Sequence, residues 1–308
     1  MLCGDDAFLP VLSRVTDKLW WKPGSFELKR CVSCGLIATR PRPTPQSLSL
    51  YYEGVYDTPA ARDGLRRFYE GQIGRLLNYY RLVTIEKVRS LSPDDHVIDV
   101  GCSYGHFLDF VRRARAVKTT GIDTDAASLQ GACARAECDY HHGTLLEVCA
   151  GLQPATVITF LECLEHDPDP VATLRAAHDA LEPGGLVVIE VPMWDGWLRV
   201  LFGRFWHPLF IPQHLVHFSK ASLEATVRAA GLKPVHHQSM LFPSELTLSF
   251  RAALLHWMFG EQRRPRPFVE ALLAPLLIAL FWLVDLPTQF FLRLIHRTGH
   301  QTLIAQRS

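Results

Sequence analysis

The sequence predicts an α/β fold in which a mostly parallel sheet is covered by helices. Two observations carry this: short apolar runs rich in β-branched residues alternate with helical stretches, and the helices carry capping residues at their expected starts. Strands are expected over residues 97–100, 119–123, 157–161 and 186–191, then 234–240, with a last strand at 302–306. Glu182-Pro183-Gly184-Gly185 reads as the turn into the fourth of these. Asp125 precedes a helix at Ala126, Asp169 stands before Pro170 at a first helical position, and Ser219 opens a helix that Gly231 closes. Ahead of the strands, Leu65, Phe68, Ile73, Leu76, Leu77, Tyr80, Val83 and Val88 recur at roughly helical spacing. One helix over 65–91 is therefore expected, ended by Ser92-Pro93-Asp94-Asp95.

Composition narrows the functional classes. The 308 residues are 48% hydrophobic and 20% charged, with a net charge of +1, which argues against disorder and against a basic nucleic-acid surface. No nucleic-acid partner is expected. Met1 to Pro10 lacks a basic stretch followed by an apolar run, so no secretory signal is expected. The expected location is the cytoplasm or the inner face of the membrane. Cysteines 3, 31, 34, 102, 133, 138, 149 and 163 then read as reduced thiols and not as a disulfide framework.

The chemistry begins at His96-Val-Ile-Asp-Val-Gly-Cys-Ser-Tyr-Gly-His-Phe107, a strand running through a glycine-bearing turn into a helix. Gly101 and Gly105 let a ligand approach the backbone, and the N–H groups of the next helix face it. Asp99 directs a carboxylate to the same place, which suits an ammonium group and would repel a pyrophosphate. The dinucleotide fingerprint G-x-G-x-x-G also fails, because Ser103 and His106 occupy its second and third glycine positions. Asp123, ending the second strand, is placed to grip two ribose hydroxyls.

Asp99-x-Gly101-x-x-x-Gly105, Asp123, Leu164-Glu165-His166 with Asp169-Pro170, and Leu181-Glu-Pro-Gly-Gly185 together resemble class I S-adenosylmethionine-dependent methyltransferases, over about residues 65–241 and the last strand. The resemblance implies a Rossmann-like methyltransferase fold, a mostly parallel seven-stranded sheet with helices on both faces, acting on a small-molecule acceptor. It implies that Asp99 serves the methionine amino group, that the glycines pass beneath the nucleoside, and that Asp123 holds the ribose. The cofactor set so implied is Asp99, Gly101, Cys102, Ser103, Gly105, Asp123, Thr124, Phe160 and Leu161, with Tyr104 and Phe160 beside the sulfonium. Two departures stand out: Ser103 replaces a frequent glycine, and Gly143-Thr144 replaces a frequent acid near the adenine. Cys102 and Cys163 read as small buried groups.

Transfer to an oxygen or an activated carbon needs a base. His166, after the strand at 157–161, and His214, in Pro212-Gln-His-Leu-Val-His-Phe-Ser219 beside His217, are the candidate catalytic residues. The aromatic loop 193–212, with Trp194, Trp197, Phe202, Phe205, Trp206 and Phe210, is expected to offer surface to a bulky acceptor such as a sugar, quinone-like or lipid-linked molecule. The competing function is a non-catalytic cofactor-binding protein serving a membrane-associated assembly.

The head, residues 1–60, carries Cys31-Val-Ser-Cys34-Gly35, the spacing of a zinc-ribbon half-site, with Cys3-Gly4 like the end of another. With Pro41-Arg-Pro43 and Tyr51-Tyr52 it resembles the heads of some sugar methyltransferases, and Cys3, Cys31 and Cys34 are the expected ligands of a structural zinc. The methyltransferase domain is assigned to 61–244 and 300–308, and an apolar helical insert to 245–299. Ala271 to Val284 is free of charge, but Pro275 and Asp285 interrupt the apolar run, so a hairpin returning to the cytoplasmic face, or helices lying in the membrane interface, is expected and not a single span. Arg263-Arg264-Pro265-Arg266 would meet anionic headgroups. The alternative is that the insert covers the sheet or forms a homodimer interface.

Overall fold

The computed structural model describes residues 3–54, 58–133, 139–242, 244–260 and 266–308. Cys138 and Arg263-Arg264-Pro265 lie outside them. The head is an antiparallel meander, β1 (Phe8–Val15), β2 (Phe26–Cys31) and β3 (Ile37–Arg40), followed by α1 (Pro45–Tyr52), whose first turn is capped by Thr44. Next come α2 (Pro59–Glu70) and α3 (Gln72–Glu86). The single helix expected over 65–91 is thus two helices, broken at Gly71. The backbone there is extended (φ −73°, ψ 173°), and a residue without a side chain weakens helical continuity.

The α/β domain alternates β4 (His96–Val100), α4 (His106–Arg115), β5 (Lys118–Asp123), α5 (Ala126–Cys133), β6 (Asp139–His142), α6 (Leu145–Val148), β7 (Ala155–Leu161), α7 (Pro170–Ala180) and β8 (Leu181–Pro192). Then follow α8 (Trp197–Phe202), β9 (Val216–His217), α9 (Lys220–Ala229) and β10 (Leu232–Met240). The insert contributes α10 (Glu245–Phe259), α11 (Pro267–Leu280), a π-helical turn over Phe281–Asp285 and α12 (Leu286–Leu294), before β11 (His300–Arg307). Asp169 and Ser219 cap α7 and α9 through their side chains, as their positions in the sequence imply.

The large sheet runs β10-β11-β8-β7-β4-β5-β6, seven strands as the resemblance implies, parallel except at β11. The chain enters at the central β4, moves outward to β6 and returns to β7 on the other side of β4. The carboxyl ends of β4 and β7 therefore form the switch point where open α/β sheets bind ligands. Glu182–Gly185 is not a turn ahead of the strand but lies inside β8. Ala155 pairs with Leu181 and Val157 with Leu186, so the extra residues bulge out where Gly184 takes φ +78°.

Two further features depart from the expected boundaries. β9, from the α/β domain, completes the head's sheet by pairing with β3, Ile37 opposite His217 and Ala38 opposite Val216. One apolar cluster joins Val15, Phe26, Leu28 and Ile37 of the head to Trp194, Trp206, Leu209 and Leu292. Pro275 and Asp285 do not interrupt the insert helix, which is continuous from Phe268 to Leu294. The π turn just before Pro287 widens the helix where the proline ring would otherwise strike a carbonyl of the preceding turn.

Candidate active site

The turn between β4 and α4 takes three left-handed residues, Gly101 (φ +76°), Ser103 (φ +49°) and Gly105 (φ +68°). A side chain at Gly101 would come 2.6 Å from Cys163 Sγ, and one at Gly105 would strike the Tyr140 hydroxyl. Ser103, where related turns carry glycine, is thus a strained residue in a glycine conformation. Its N–H donates to Asp123 Oδ2 (2.7 Å), and that of Asp125 donates to Asp123 Oδ1 (2.8 Å). Asp123 therefore locks the turn and presents its carboxylate at the end of β5. Burial pushes its pKa up.

Asp99 is only 3% exposed and accepts from Thr159 Oγ1 at 2.5 Å. Burial drives its pKa up to about 7, against the opposing effects of that hydroxyl and of Arg81. A buried carboxylate in this state is a site for a cation, and the ammonium group of S-adenosylmethionine fits it. Of the other residues in the implied set, Cys102 is buried against Gly121, Thr124 is exposed at the end of β5, and Leu161 is half-buried at the end of β7. Phe160 is 1% exposed and packs in the main core. Tyr104 stands in the turn near Gly131.

The second half of the site is a histidine-carboxylate cluster. His166 and His214 meet edge to face with ring centroids 4.6 Å apart, and His214 Nε2 is 3.7 Å from Glu165 Oε1. His166 Nδ1 donates to the Gln213 carbonyl (3.0 Å) and His214 Nδ1 to the Pro208 carbonyl (2.9 Å). Since carbonyls only accept, both rings carry their proton on Nδ1 and keep the Nε2 lone pair. Burial lowers the pKa of both, well below the usual value for His214. They are neutral near pH 7 and able to take a proton. His217 differs: Thr39 Oγ1 donates to the His214 carbonyl, so His217 Nε2 must donate to Thr39, a structural role.

Glu165 is buried, its carboxyl oxygens meet no hydrogen-bond donor at normal geometry among the described residues, and burial, with Glu162 adding to it, raises its pKa well above the ordinary carboxylate range. Glu165, His166 and His214 offer ligand atoms within 4.8 Å of one another, a spacing that could also hold a divalent cation. The three head cysteines, Cys3, Cys31 and Cys34, are likewise brought within 4.8 Å, with Cys3 Sγ 3.4 Å from Cys31 Sγ.

Sequence reading assigned no role in the site to Arg81, Glu190, His300 or Tyr52. Arg81 of α3 is buried against Glu190 of β8, its Nε 3.0 Å from Oε2. His300 Nε2 lies 3.5 Å from Glu162 Oε2. Burial works against charging His300, but the carboxylates of Glu162, Glu245 and Glu190 together outweigh it and its pKa is raised. With the proton on His166 Nδ1, the Tyr52 hydroxyl of the head is a second acceptor of that N–H (2.9 Å) beside the Gln213 carbonyl. A charge within the buried run Leu-Val-Val-Ile-Glu-Val was a signal for Glu190. The aromatic loop is also corrected: Trp194 and Trp206 are core residues, while Trp197 points outward.

Comparisons with known proteins agree with this geometry. A methyltransferase-domain family matches residues 65–237, more than half of the chain. The ubiquinone biosynthesis O-methyltransferase of Idiomarina loihiensis is 31% identical over 179 residues, covering 54% of this chain and 73% of that protein. That of Azotobacter vinelandii is 33% identical over 151 residues, covering 44% and 63%. Among solved structures, a SAM-dependent methyltransferase from Archaeoglobus fulgidus superposes with a TM-score of 0.51 at 15% identity over 80% of this chain and 99% of its own. The phosphoethanolamine N-methyltransferase 2 of Haemonchus contortus gives 0.56 at 13% identity over 88% and 62%; both show a shared fold. The turn, the two carboxylates and the family match lead to one conclusion: the chain belongs to the class I S-adenosylmethionine-dependent methyltransferases.

Proposed function

We propose that the enzyme methylates a hydroxyl oxygen of a quinone-like aromatic acceptor. The observation that carries this is the adjoining pair of half-buried His166 and buried His214, both neutral with Nε2 unprotonated, at the carboxyl edge that also holds Asp99 and Asp123. S-adenosylmethionine supplies an electrophilic methyl group. Asp99 holds its ammonium group, Asp123 its ribose, and the turn 101–105 its nucleoside. His166 or His214 takes the acceptor's hydroxyl proton at Nε2, and Tyr52 and Gln213 fix the imidazole of His166. The named relatives, O-methyltransferases of ubiquinone biosynthesis, support an aromatic oxygen over a sugar hydroxyl and methyl transfer over a purely cofactor-binding role.

The test is incubation of the purified enzyme with methyl-labelled cofactor and, separately, a dihydroxylated quinol, a sugar nucleotide and buffer. One labelled methyl on a quinol oxygen is expected. Label appearing only in the sugar, or on carbon, would overturn the assignment.

We also infer that Cys3, Cys31 and Cys34 hold a structural zinc, supported by the convergence of their sulfurs and by the left-handed glycines that close the two knuckles, Gly4 and Gly35 (each φ +72°). About one equivalent of zinc by elemental analysis, lost in Cys31→Ser, is expected; a zinc-free, fully folded wild type would contradict it.

A further inference from the structure

β10 runs parallel to β8 and ends at the carboxyl edge, while β11 starts there, His300 opposite Pro192. The insert therefore leaves and returns beside the mouth of the site. It is tied down by buried polar groups. Glu245 accepts from Trp206 Nε1, Gln289 Nε2 (3.2 Å) and Gly299 N–H (3.1 Å), and Asp285 Oδ2 accepts from Thr247 N–H (2.8 Å) in the first turn of α10. With both ends fixed to one face of the body, the insert is a hairpin that cannot carry the chain across a bilayer.

The outer arm of this hairpin is not buried in the protein. The helix Phe268–Leu294 has a mean hydropathy of 2.1 over its most apolar window, of which 11% is buried. Phe268, Leu272, Leu276 and Leu283 form an exposed stripe at helical spacing that Phe290 and Leu294 prolong. Trp282 on the same helix, Trp257 of α10 (82% exposed), and Trp197 and Leu201 of α8 are exposed as well. Its charge is one-sided. Among the described residues of the insert, Glu245 and Asp285 are buried and Glu270 is paired with Arg251, while Arg293 lies over the Tyr80 ring, Arg297 is exposed and donates to the Asp195 carbonyl (3.4 Å), and Arg266 is exposed.

We propose that this hairpin lies in the interface of an anionic bilayer, its apolar stripe among the acyl chains and its arginines at the headgroups, so that the mouth of the site faces the membrane. An in-plane helix of 27 residues is about 40 Å long and needs no partner for its backbone, whose hydrogen bonds are internal. Exposed tryptophans and a basic remainder are what such a surface requires. A second copy of the chain would cover the stripe equally well but leaves the surplus of exposed arginine unexplained.

Flotation of the full chain with vesicles of phosphatidylcholine and phosphatidylglycerol at low salt tests this, since bound protein rises and aggregate does not. Wild type floats, and the triple variant Leu272→Glu/Leu276→Glu/Leu283→Glu loses at least about tenfold of the floated fraction, because three exposed anchors are removed. The variant keeps its S-adenosylhomocysteine affinity, which shows that it is folded and separates this inference from the methyl-transfer reading. Wild type remaining at the bottom, equal flotation of variant and wild type, or flotation indifferent to phosphatidylglycerol would overturn the proposal. So would a wild-type dimer without vesicle binding that the variant converts to monomer, assigning the stripe to a second copy.

Discussion

Asp99 and the two histidines are set by burial to opposite tasks. Without a cation beside it Asp99 titrates near 7, against an ordinary 3.8, so the folded chain favours its protonated form and that contribution to stability fades as pH rises towards 7. Binding an ammonium group reverses the preference. A proton is then released on binding, and S-adenosylhomocysteine affinity should climb by roughly tenfold per unit at most from pH 5 and level off above about 7. Calorimetry across that range reads it directly, and an affinity independent of pH would remove Asp99 from the ammonium site. His166 and His214, held neutral, should act without an acidic limb above pH 6.5. His166→Ala or His214→Ala should lower turnover about 10²-fold, cofactor affinity being unchanged. Equal rates in both variants and wild type would show that neither is the base. Motif spacing made Asp99 and Asp123 legible. The tautomers that single out His166 and His214 from His217 depend on carbonyls and a hydroxyl far away in sequence, at Pro208, Gln213 and Thr39.

At the scale of elements, α3 is pinned to the central sheet by one charge pair. Arg81 and Glu190 are both nearly inaccessible, so removing one partner leaves a buried charge uncompensated. Arg81→Met should cost about 3 to 5 kcal/mol, and Arg81→Met/Glu190→Leu should recover most of it. Urea unfolding of the three proteins decides; a single variant as stable as wild type would mean the pair contributes little. The β4–α4 turn offers the opposite case. Ser103 holds a left-handed conformation that glycine adopts freely, so Ser103→Gly should cost nothing or stabilise by up to about 1 kcal/mol. A loss beyond that in thermal unfolding would show that the hydroxyl does more than fit the turn. Six strands of the large sheet were readable from their short apolar runs, and α7 and α9 from their local caps, whereas the short polar β6 and the strands of the head's sheet, β1, β2, β3 and β9, were not. The break at Gly71, the bulge at Glu182–Gly185 and the π turn were not, since each is a local compromise set by what packs against it.

For the whole molecule, the order of motifs along the chain is enough to build the seven-stranded sheet, because each βα unit is local and right-handed crossovers leave few alternatives. The head was legible as a cysteine-bearing segment but not as part of the site. That role rests on the pairing of β3 with β9 and on Tyr52 reaching His166, contacts spanning well over a hundred residues. Head, sheet edge and insert thus converge on one mouth, and the central claim is that this mouth binds S-adenosylmethionine between Asp99 and Asp123. Titration calorimetry of S-adenosylhomocysteine into wild type and Asp123→Asn tests it most directly. One site per chain is predicted in wild type, with a loss of about 1 to 3 kcal/mol in the variant as the ribose hydroxyls lose a charged acceptor. No binding to wild type, or an unchanged affinity in the folded variant, would contradict the account.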